Sequence, residues 1–302
     1  MDRKLITFLS LCKTMNYRAS AEALHLTQPA ITKQIQSLEA EYGIKLFTYD
    51  GRKLALTEYG KILMDYARSF EYNFNEMQSS LDKQKKKLHL RIGATKTIGD
   101  YVICSDIMKY LHDPTHELTL IVDNTEQLLK RINDSELDFA FIEGAFSKSK
   151  YHYNLLRREP FVGIRAKMSP TENRPAAPYK IEDLFHETII VREKGSGTRE
   201  LFERDLAELG YELSDFARVV ELSSFHLICQ AVAIGLGITF LYHSVIKDRP
   251  GFTMFSVDGI CGEHEFNVVS LKNTSVHLIV ERFLSETEST ANTETMSGQH
   301  DE

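Results

Sequence analysis

Two glycine-bounded loops carry hydroxyl groups and a cation at spacings that suit the binding of a small anion. The first runs from Gly93 to Gly99 (GATKTIG), and the second from Gly195 to Arg199 (GSGTR). Each is predicted to leave a strand and open a helix, where free backbone N–H groups favour negative charge. If the loops face each other, a small oxyanion would fit between them. The side chains predicted to converge on it are Thr95, Thr97, Ser196, Thr198 and Arg199.

A simpler interpretation is available for each loop. The glycines could merely shape a strand-to-helix turn, while the hydroxyls only cap the helix that follows. For one loop alone that interpretation is the better one, whereas two such loops, one on each predicted lobe, favour anion binding. Neither loop is a P-loop, because the Gly-Lys-Ser/Thr ending is missing, and neither completes the dinucleotide pattern G-x-G-x-x-G.

A second polar set lies on one face of a predicted helix near the N-terminus. Ile31, Ile35 and Leu38 follow an i, i+4, i+7 pattern and are predicted to pack inward. The opposite face carries side-chain types that read base edges or bind phosphates. These predicted DNA-contacting residues, called the reading face below, are Gln28, Pro29, Thr32, Lys33 and Gln36.

The elements around this helix are those of a helix-turn-helix with a hairpin. A first helix is predicted over residues 4–15, Asn16 and Thr27 are predicted N-caps, and Asp50-Gly51 is a strong hairpin turn. Arg52 and Lys53 at the hairpin tip suit a minor groove or the DNA backbone. An ordinary three-helix core with a solvated polar face would look similar. The charge distribution favours DNA, since residues 1–88 carry 14 basic and 10 acidic side chains and the remainder carries 22 and 33.

The same stretch resembles the LysR-type transcriptional regulators. The matching residues are Ala19, Glu22-Ala23-Leu24, residues 27–32 (TQPAIT), Gln34-Ile35, Leu38-Glu39, Tyr42-Gly43, Leu46-Phe47, Leu56-Thr57 and Gly60. The resemblance implies a winged helix-turn-helix dimer that binds an interrupted palindrome, with DNA contacts at Gln28, Pro29, Thr32, Lys33 and the wing residue Arg52. Tyr49 stands where the family usually has arginine, so one cation of the wing is missing.

The resemblance extends over the rest of the chain and implies a two-lobed, periplasmic-binding-protein-like effector module with its ligand between the lobes. The Thr-x-Thr and Ser-Gly-Thr-Arg loops look most like the branches that sense sulfur oxyanions or similar small anions. On that basis the expected effector-binding residues are Thr95, Thr97, Ser196, Gly197, Thr198 and Arg199, with Thr125 as a weaker candidate.

Between these parts, apolar residues recur every three or four positions from Tyr59 to Leu81, which predicts about six turns of amphipathic helix. The stripe could pack on its own domain, but a second copy of the chain is the better cover, so we expect a homodimer or a homotetramer. The lysine-rich run 83–87 is interpreted as a solvated hinge. RNA polymerase is a further candidate partner.

The predicted fold class is α/β: an N-terminal winged helix-turn-helix, a linker helix and a two-lobed α/β effector domain with parallel strands. The predicted units are 1–58 (DNA binding), 59–87 (linker and hinge), 88–285 (effector binding) and a disordered tail, 286–302. Within the effector domain, lobe I is predicted as 88–160 plus 265–285, and lobe II as 161–264. A proline-rich break falls at 168–179.

Other functions find little support in the sequence. No metal-ligand motif or nucleophile elbow is present, so we predict no enzyme activity, no metal and no cofactor. The cysteines are scattered, and the absence of a signal peptide or an apolar run of spanning length predicts a cytoplasmic protein without membrane contact. The alternative is a solute-binding protein or small-anion enzyme with an accidental helical N-terminus, which would bind its ligand through residues 88–285 and have no DNA affinity.

Overall fold

The computed structural model of this chain describes residues 1–51, 53–81, 88–167, 178–260, 262–281 and 283–285. Several predicted features therefore lie outside the described residues: Arg52, the lysine-rich run 83–87, most of the proline-rich break, Cys261 and the tail 286–302. The described residues form an N-terminal helical unit, one long helix and a two-lobed α/β body.

The N-terminal unit contains α1 (Arg3–Thr14), α2 (Tyr17–Ala23), α3 (Gln28–Tyr42), β1 (Phe47–Asp50) and β2 (Lys53–Leu56). Both predicted caps are present: the Asn16 side chain accepts from the N–H groups of Arg18 and Ala19, and Thr27 accepts from the N–H of Ala30. The hairpin turns where predicted, with Asp50 paired to Lys53. The buried core of this unit includes Phe8, Leu11, Ile31, Ile35 and Leu38.

The first wing strand, β1, begins at Phe47, although apolar residues already occur at Ile44 and Leu46. The buried Glu39 carboxylate of α3 accepts a hydrogen bond from the Leu46 N–H at 2.9 Å. The Ile44 N–H is bonded to the Glu39 carbonyl oxygen at 3.1 Å. Because these donors turn back to α3, they cannot join a strand ladder, and pairing starts only at Phe47.

The long helix α4 (Glu58–Leu81) joins the unit to the body and contacts both. The Thr57 hydroxyl caps it by accepting from the Gly60 N–H at 3.0 Å. Ala67 is buried in the N-terminal core, whereas Tyr72 is buried in the core of the body and its hydroxyl donates to Asp138 at 3.0 Å. A stripe of large apolar residues on α4 is exposed, and we call it the linker seam: Tyr59, Ile62, Tyr66, Phe70, Met77 and Leu81.

Lobe I is built on parallel strands β3 (Leu88–Ala94), β4 (His116–Val122) and β5 (Phe139–Glu143). Helices α5 (Lys96–Tyr101), α6 (Cys104–Leu111) and α7 (Thr125–Asn133) make the connections between these strands. Two further strands, β6 (Tyr151–Ala166) and β11 (Glu263–Leu271), run antiparallel to each other, and β11 pairs antiparallel to β5. Further helical residues follow at 276–281 and 283–285.

Lobe II contains parallel strands β7 (Thr188–Val191) and β8 (Arg218–Glu221), with α8 (Gly197–Glu208) between them. It also contains α9 (Phe225–Ala233), β9 (Thr239–Tyr242), β10 (Phe252–Phe255) and, among its described residues, three short 3-10 turns. The two lobes share β6, because its residues 151–160 pair with β11 and its residues 161–166 pair with β9 and β10. The sheet is therefore mixed: β3, β4 and β5 are parallel, as predicted, whereas β6 pairs antiparallel with β9, β10 and β11.

No helix in the described part of the chain combines the length and apolar character that crossing a bilayer needs. The described residues also contain no cluster of three or more histidine, cysteine or acidic side chains able to hold a metal ion.

Candidate DNA-reading face and effector cleft

The reading face lies on the surface of α3. Gln28, Pro29, Lys33 and Gln36 are exposed, and Thr32 is half-buried with its hydroxyl donating to the Gln28 carbonyl oxygen at 3.1 Å. Pro29 lies in the first helical turn, where its missing N–H leaves no helical hydrogen bond unmade. The buried side chains of α3 point the other way, so its polar side is free to enter a groove.

Contacts beneath α3 fix its position against α1 and the wing. The Thr7 hydroxyl donates to Gln34 Oε1 at 2.6 Å, and Lys45 Nζ donates to Glu39 Oε2 at 2.7 Å. Burial disfavours the Glu39 carboxylate, but its bonds from Lys45 and from backbone N–H groups outweigh burial and lower its pKa. At the wing, Lys53 is exposed and Tyr49 is 65% exposed.

A cavity of about 450 Å³, called the effector cleft, opens between the lobes at the carboxyl ends of their parallel strands. Crevices in this position bind ligands in open α/β sheets. The residues around it, taken from both lobes, are Thr95, Lys96, Val122, Asp123, Asn124, Thr125, Glu143, Arg192, Glu193, Lys194, Gly195, Ser196 and Gly197. Four of the predicted effector-binding residues are therefore brought together: Thr95, Thr125, Ser196 and Gly197.

On lobe I, three of the predicted threonines converge on Glu143, the last residue of β5. The Thr97 hydroxyl donates to Glu143 Oε1 at 3.0 Å, and the Thr125 hydroxyl donates to the Glu143 carbonyl oxygen at 3.1 Å. Thr95 Oγ1 accepts from the Glu143 N–H at 3.4 Å. Thr97 is fully buried, so it supports Glu143 and is not among the residues that line the cleft.

On lobe II, the N-terminus of α8 meets the cleft. Ser196 is its N-cap, and its hydroxyl makes no capping bond. Thr198 is 2% exposed, and its hydroxyl has no hydrogen-bond partner in the described part of the chain. Thr198 directly follows Gly197, the first residue of α8. Gly197 lines the cleft, but Thr198 does not.

The Arg199 side chain does not converge on the proposed anion site, contrary to the prediction from the sequence. Its Nε donates to Glu203 at 2.7 Å, and its Nη1 donates to Glu221 at 2.5 Å and to the Arg192 carbonyl oxygen at 3.1 Å. The guanidinium therefore holds α8 to the end of β8 and does not line the cleft. At its position on α8, the Arg199 side chain points away from the cleft. The spacing of residues in the loop did not reveal this direction.

The match to known families decides what this architecture is. The model of the bacterial regulatory helix-turn-helix protein, lysR family, matches residues 3–61. The model of the LysR substrate binding domain matches residues 83–291. The chain belongs to the LysR family. This LysR-family protein is accordingly a DNA-binding transcriptional regulator and not an enzyme, and the predicted family and fold class are confirmed.

Individual relatives and structures agree with this assignment. The regulator is similar to CbbR of Rhizobium meliloti (strain 1021), at 32% identity over 252 residues, 82% of this chain and 78% of CbbR. Its fold matches full-length LysG of Corynebacterium glutamicum with bound effector Arg (TM-score 0.65, 15% identity, 96% of this chain and 99% of LysG). It also matches the Synechocystis PCC6803 CcmR regulatory domain in complex with 2-PG (TM-score 0.58, 24% identity, 68% of this chain and 97% of that domain).

Two charged residues of this LysR-family cleft were missed from the sequence. Arg192 directly follows β7, is 4% exposed, and has its guanidinium carbon 4.2 Å from the centre of the Phe225 ring. Arg192 and Glu143 are both ionisable residues at the carboxyl end of a buried parallel strand. That position could have identified them from the sequence as residues of a ligand-binding cleft.

The electrostatics of the cleft centre on the Glu143 carboxyl group. Burial raises the pKa of Glu143 to about 7, although the Thr97 hydrogen bond and the charge of Arg192 act to lower it. The charge of Glu159 raises it further. Arg192 itself is engaged, because its Nε and Nη2 donate to the Glu193 carboxylate at 2.7 and 2.8 Å.

Two of the described cysteines, Cys12 and Cys229, are in surroundings that disfavour redox chemistry. Cys12, Cys104 and Cys229 are free thiols, and burial raises the pKa of Cys12 to about 12 and also raises that of Cys229. A thiol with a raised pKa carries little thiolate at neutral pH and is a weak nucleophile.

Proposed function

We propose that a small anion bound in the effector cleft controls how this regulator engages double-stranded DNA. One observation supports the proposal above the others: the N-terminus of α8 on lobe II and the threonines of lobe I line the same cavity. Backbone N–H groups at a helix N-terminus attract anions. Lys96, Arg192 and Lys194 add positive charge to the lining. The Lys96 side chain also donates across the lobes to the Ser223 carbonyl oxygen at 3.3 Å.

The proposed coupling to DNA follows from the difference between two arrangements of the lobes. An effector can shift that equilibrium only if it binds one arrangement more tightly than the other. A ligand that contacts residues of both lobes fulfils this condition, since separation of the lobes would break half of its contacts. Two proteins of this fold bind small molecules: full-length LysG was solved with bound effector Arg, and the CcmR regulatory domain in complex with 2-PG.

We further propose that the DNA contacts are made by the reading face and by Lys53 and Arg52 of the wing. The operator is an interrupted palindrome, because the linker seam pairs two copies and presents two α3 helices to one face of the duplex. Five residues of the seam are each at least half exposed: Tyr59, Ile62, Tyr66, Phe70 and Leu81. The assembly is a dimer or a tetramer, acts in the cytoplasm, and has RNA polymerase as a candidate further partner. The unit boundaries 1–58, 59–87, 88–285 and 286–302 belong to the same proposal.

Calorimetry on the full chain tests the effector site with sulfate, sulfite, thiosulfate, phosphate and acetate. Ser196→Ala and Thr95→Val each remove a neutral hydrogen-bonding group, so each is expected to weaken anion binding by about 1 kcal/mol. Ser214→Ala is the matched control, because its hydroxyl bonds Glu212 on an exposed turn of lobe II. Binding that is equally strong in all three variants would place the anion elsewhere, and the absence of binding by any anion would overturn the proposal.

A further inference from the structure

We propose that Glu143 takes part in anion binding as a neutral carboxylic acid that donates a hydrogen bond to the anion, so that one proton binds with each anion. The inference rests on the proposed function of the effector cleft. It deepens that proposal by naming a residue that decides which ligand is accepted and at which pH.

The first step of the argument is the geometry of the carboxyl group. Glu143 is 3% exposed, and its Oε1 already accepts from Thr97. Its Oε2 is buried and has no hydrogen-bond partner in the part of the chain that the structure describes. Burying this oxygen without a hydrogen-bond partner costs much free energy when the carboxyl group is ionised. The cost is much lower when the group is protonated and its hydroxyl can donate to an acceptor within reach. An anion in the cleft supplies that acceptor.

The second step is competition for the same positive region. Gly197, at the start of α8, lies so close that a methyl group on it would be 3.8 Å from Glu143 Cγ. An ionised Glu143 would therefore occupy the field of the α8 N-terminus itself and exclude another anion. A neutral Glu143 leaves that field to the ligand, and it adds a hydrogen-bond donor to the cavity that Ser196 also lines.

The third step is the balance of charge around Glu143. With Glu143 ionised, the charged groups of the cleft lining cancel, and with Glu143 neutral they leave one positive charge for the anion. Burial raises the pKa of Glu143 to about 7, so its proton is exchangeable near neutrality. The charged and titratable groups that face it are Lys96 on α5, Asp123 after β4, Glu159 on β6, Arg192, Glu193 and Lys194 after β7, and Tyr242 on β9.

These steps define the chemical class of ligand. The site accepts an oxyanion with an acceptor oxygen directed at Glu143, and it disfavours an ammonium group there, since a neutral acid presents no charge to a cation. The proton comes from solvent and returns to it when the anion leaves. Anion affinity therefore falls as the pH rises through the pKa of Glu143.

Calorimetry with sulfate, which does not itself titrate between about pH 6 and pH 9, measures this linkage in the full chain. We expect the association constant of the wild type to fall about tenfold per pH unit above the pKa of Glu143, with uptake of about one proton per sulfate in buffers of different ionisation enthalpy. Glu143→Gln keeps an acceptor for Thr97 and a donor for the anion. It is expected to bind sulfate at all these pH values about as tightly as the wild type does at the acidic end.

Asp123→Asn is the matched control, because it removes a different carboxylate from the lining of the same cleft and leaves the Glu143 carboxyl group in place. It is expected to retain the full pH dependence. Three outcomes overturn the inference while leaving the cleft as the anion site: sulfate binding that is independent of pH in the wild type, a retained pH dependence in Glu143→Gln, or glycine binding that strengthens as the pH rises. Failure of every anion to bind either protein would overturn the proposed function together with it.

Discussion

The reading face and the effector cleft are both made of polar side chains, but the chain assembles them in opposite ways. All five residues of the reading face come from one helix within positions 28–36, and four of them are exposed. The cleft draws its residues from both lobes, and Glu143 at its centre is buried among groups far away in sequence, such as Thr97 and Gly197. A surface that one helix presents is defined by local spacing, whereas a site between lobes is defined by packing.

This contrast predicts two different effects of substitution. Replacing a polar residue of lobe II lowers the stability of the fold, whereas replacing a polar residue of α3 weakens DNA binding. Arg199→Met leaves the carboxylates of Glu203 and Glu221 without their shared cation. Removing one partner of a buried ion pair costs about 3–5 kcal/mol, and the partial exposure of both carboxylates reduces this to about 2–4 kcal/mol of unfolding free energy. Chemical denaturation measures the loss, and sulfate affinity of the folded variant is expected to change little.

Arg18→Met is the control for that experiment. Arg18 is 82% exposed and pairs with Glu22, which is 70% exposed, so its replacement is expected to cost less than about 1 kcal/mol. An Arg199 variant as stable as the Arg18 variant, but unable to bind sulfate, would return Arg199 to the ligand and erase the contrast.

The reading face gives the opposite result when it is altered. Gln28→Ala is expected to leave the unfolding free energy unchanged and to weaken binding to the operator by about 1–3 kcal/mol, with the preference lost at one base position. Gel-shift titrations against an operator library measure both effects. Gln78→Ala, an exposed glutamine of α4, is the matched control. An unaltered base preference in the Gln28 variant would mean that this side chain does not read a base.

The smallest effect is expected at Lys33, where a phosphate contact carries no sequence information. Lys33→Gln should weaken binding to all duplexes by a similar factor, below about 1 kcal/mol, and reduce the salt dependence of log K by about one. Lys61→Gln is the comparison, since Lys61 lies on α4 and pairs with Glu58 at 2.6 Å. Equal salt slopes for these two variants would remove Lys33 from the DNA backbone.

The same contrast explains what the sequence could and could not predict. The caps Asn16 and Thr27, the turn after Asp50 and the inward side of α3 depend on neighbours within a few residues, and all were predicted. Strand β6 was not, because its sixteen residues divide their pairing between two lobes and follow no single alternation. Arg199 was assigned to the cleft because it closes a glycine-rich loop, and only the positions of Glu203 and Glu221 explain why it turns away.

Tyr72 gives the linker helix a mechanical property. Its ring is sealed in the interior of lobe I and its hydroxyl is tied to Asp138, while the opposite end of α4 packs on the DNA-binding unit. Glu58 lies fourteen residues away along α4, a span of ~21 Å, so a tilt of ~10° at Tyr72 would displace that end by ~4 Å. A small rotation of α4 about Tyr72 would therefore move the DNA-binding end of the helix by a distance comparable to one base-pair step.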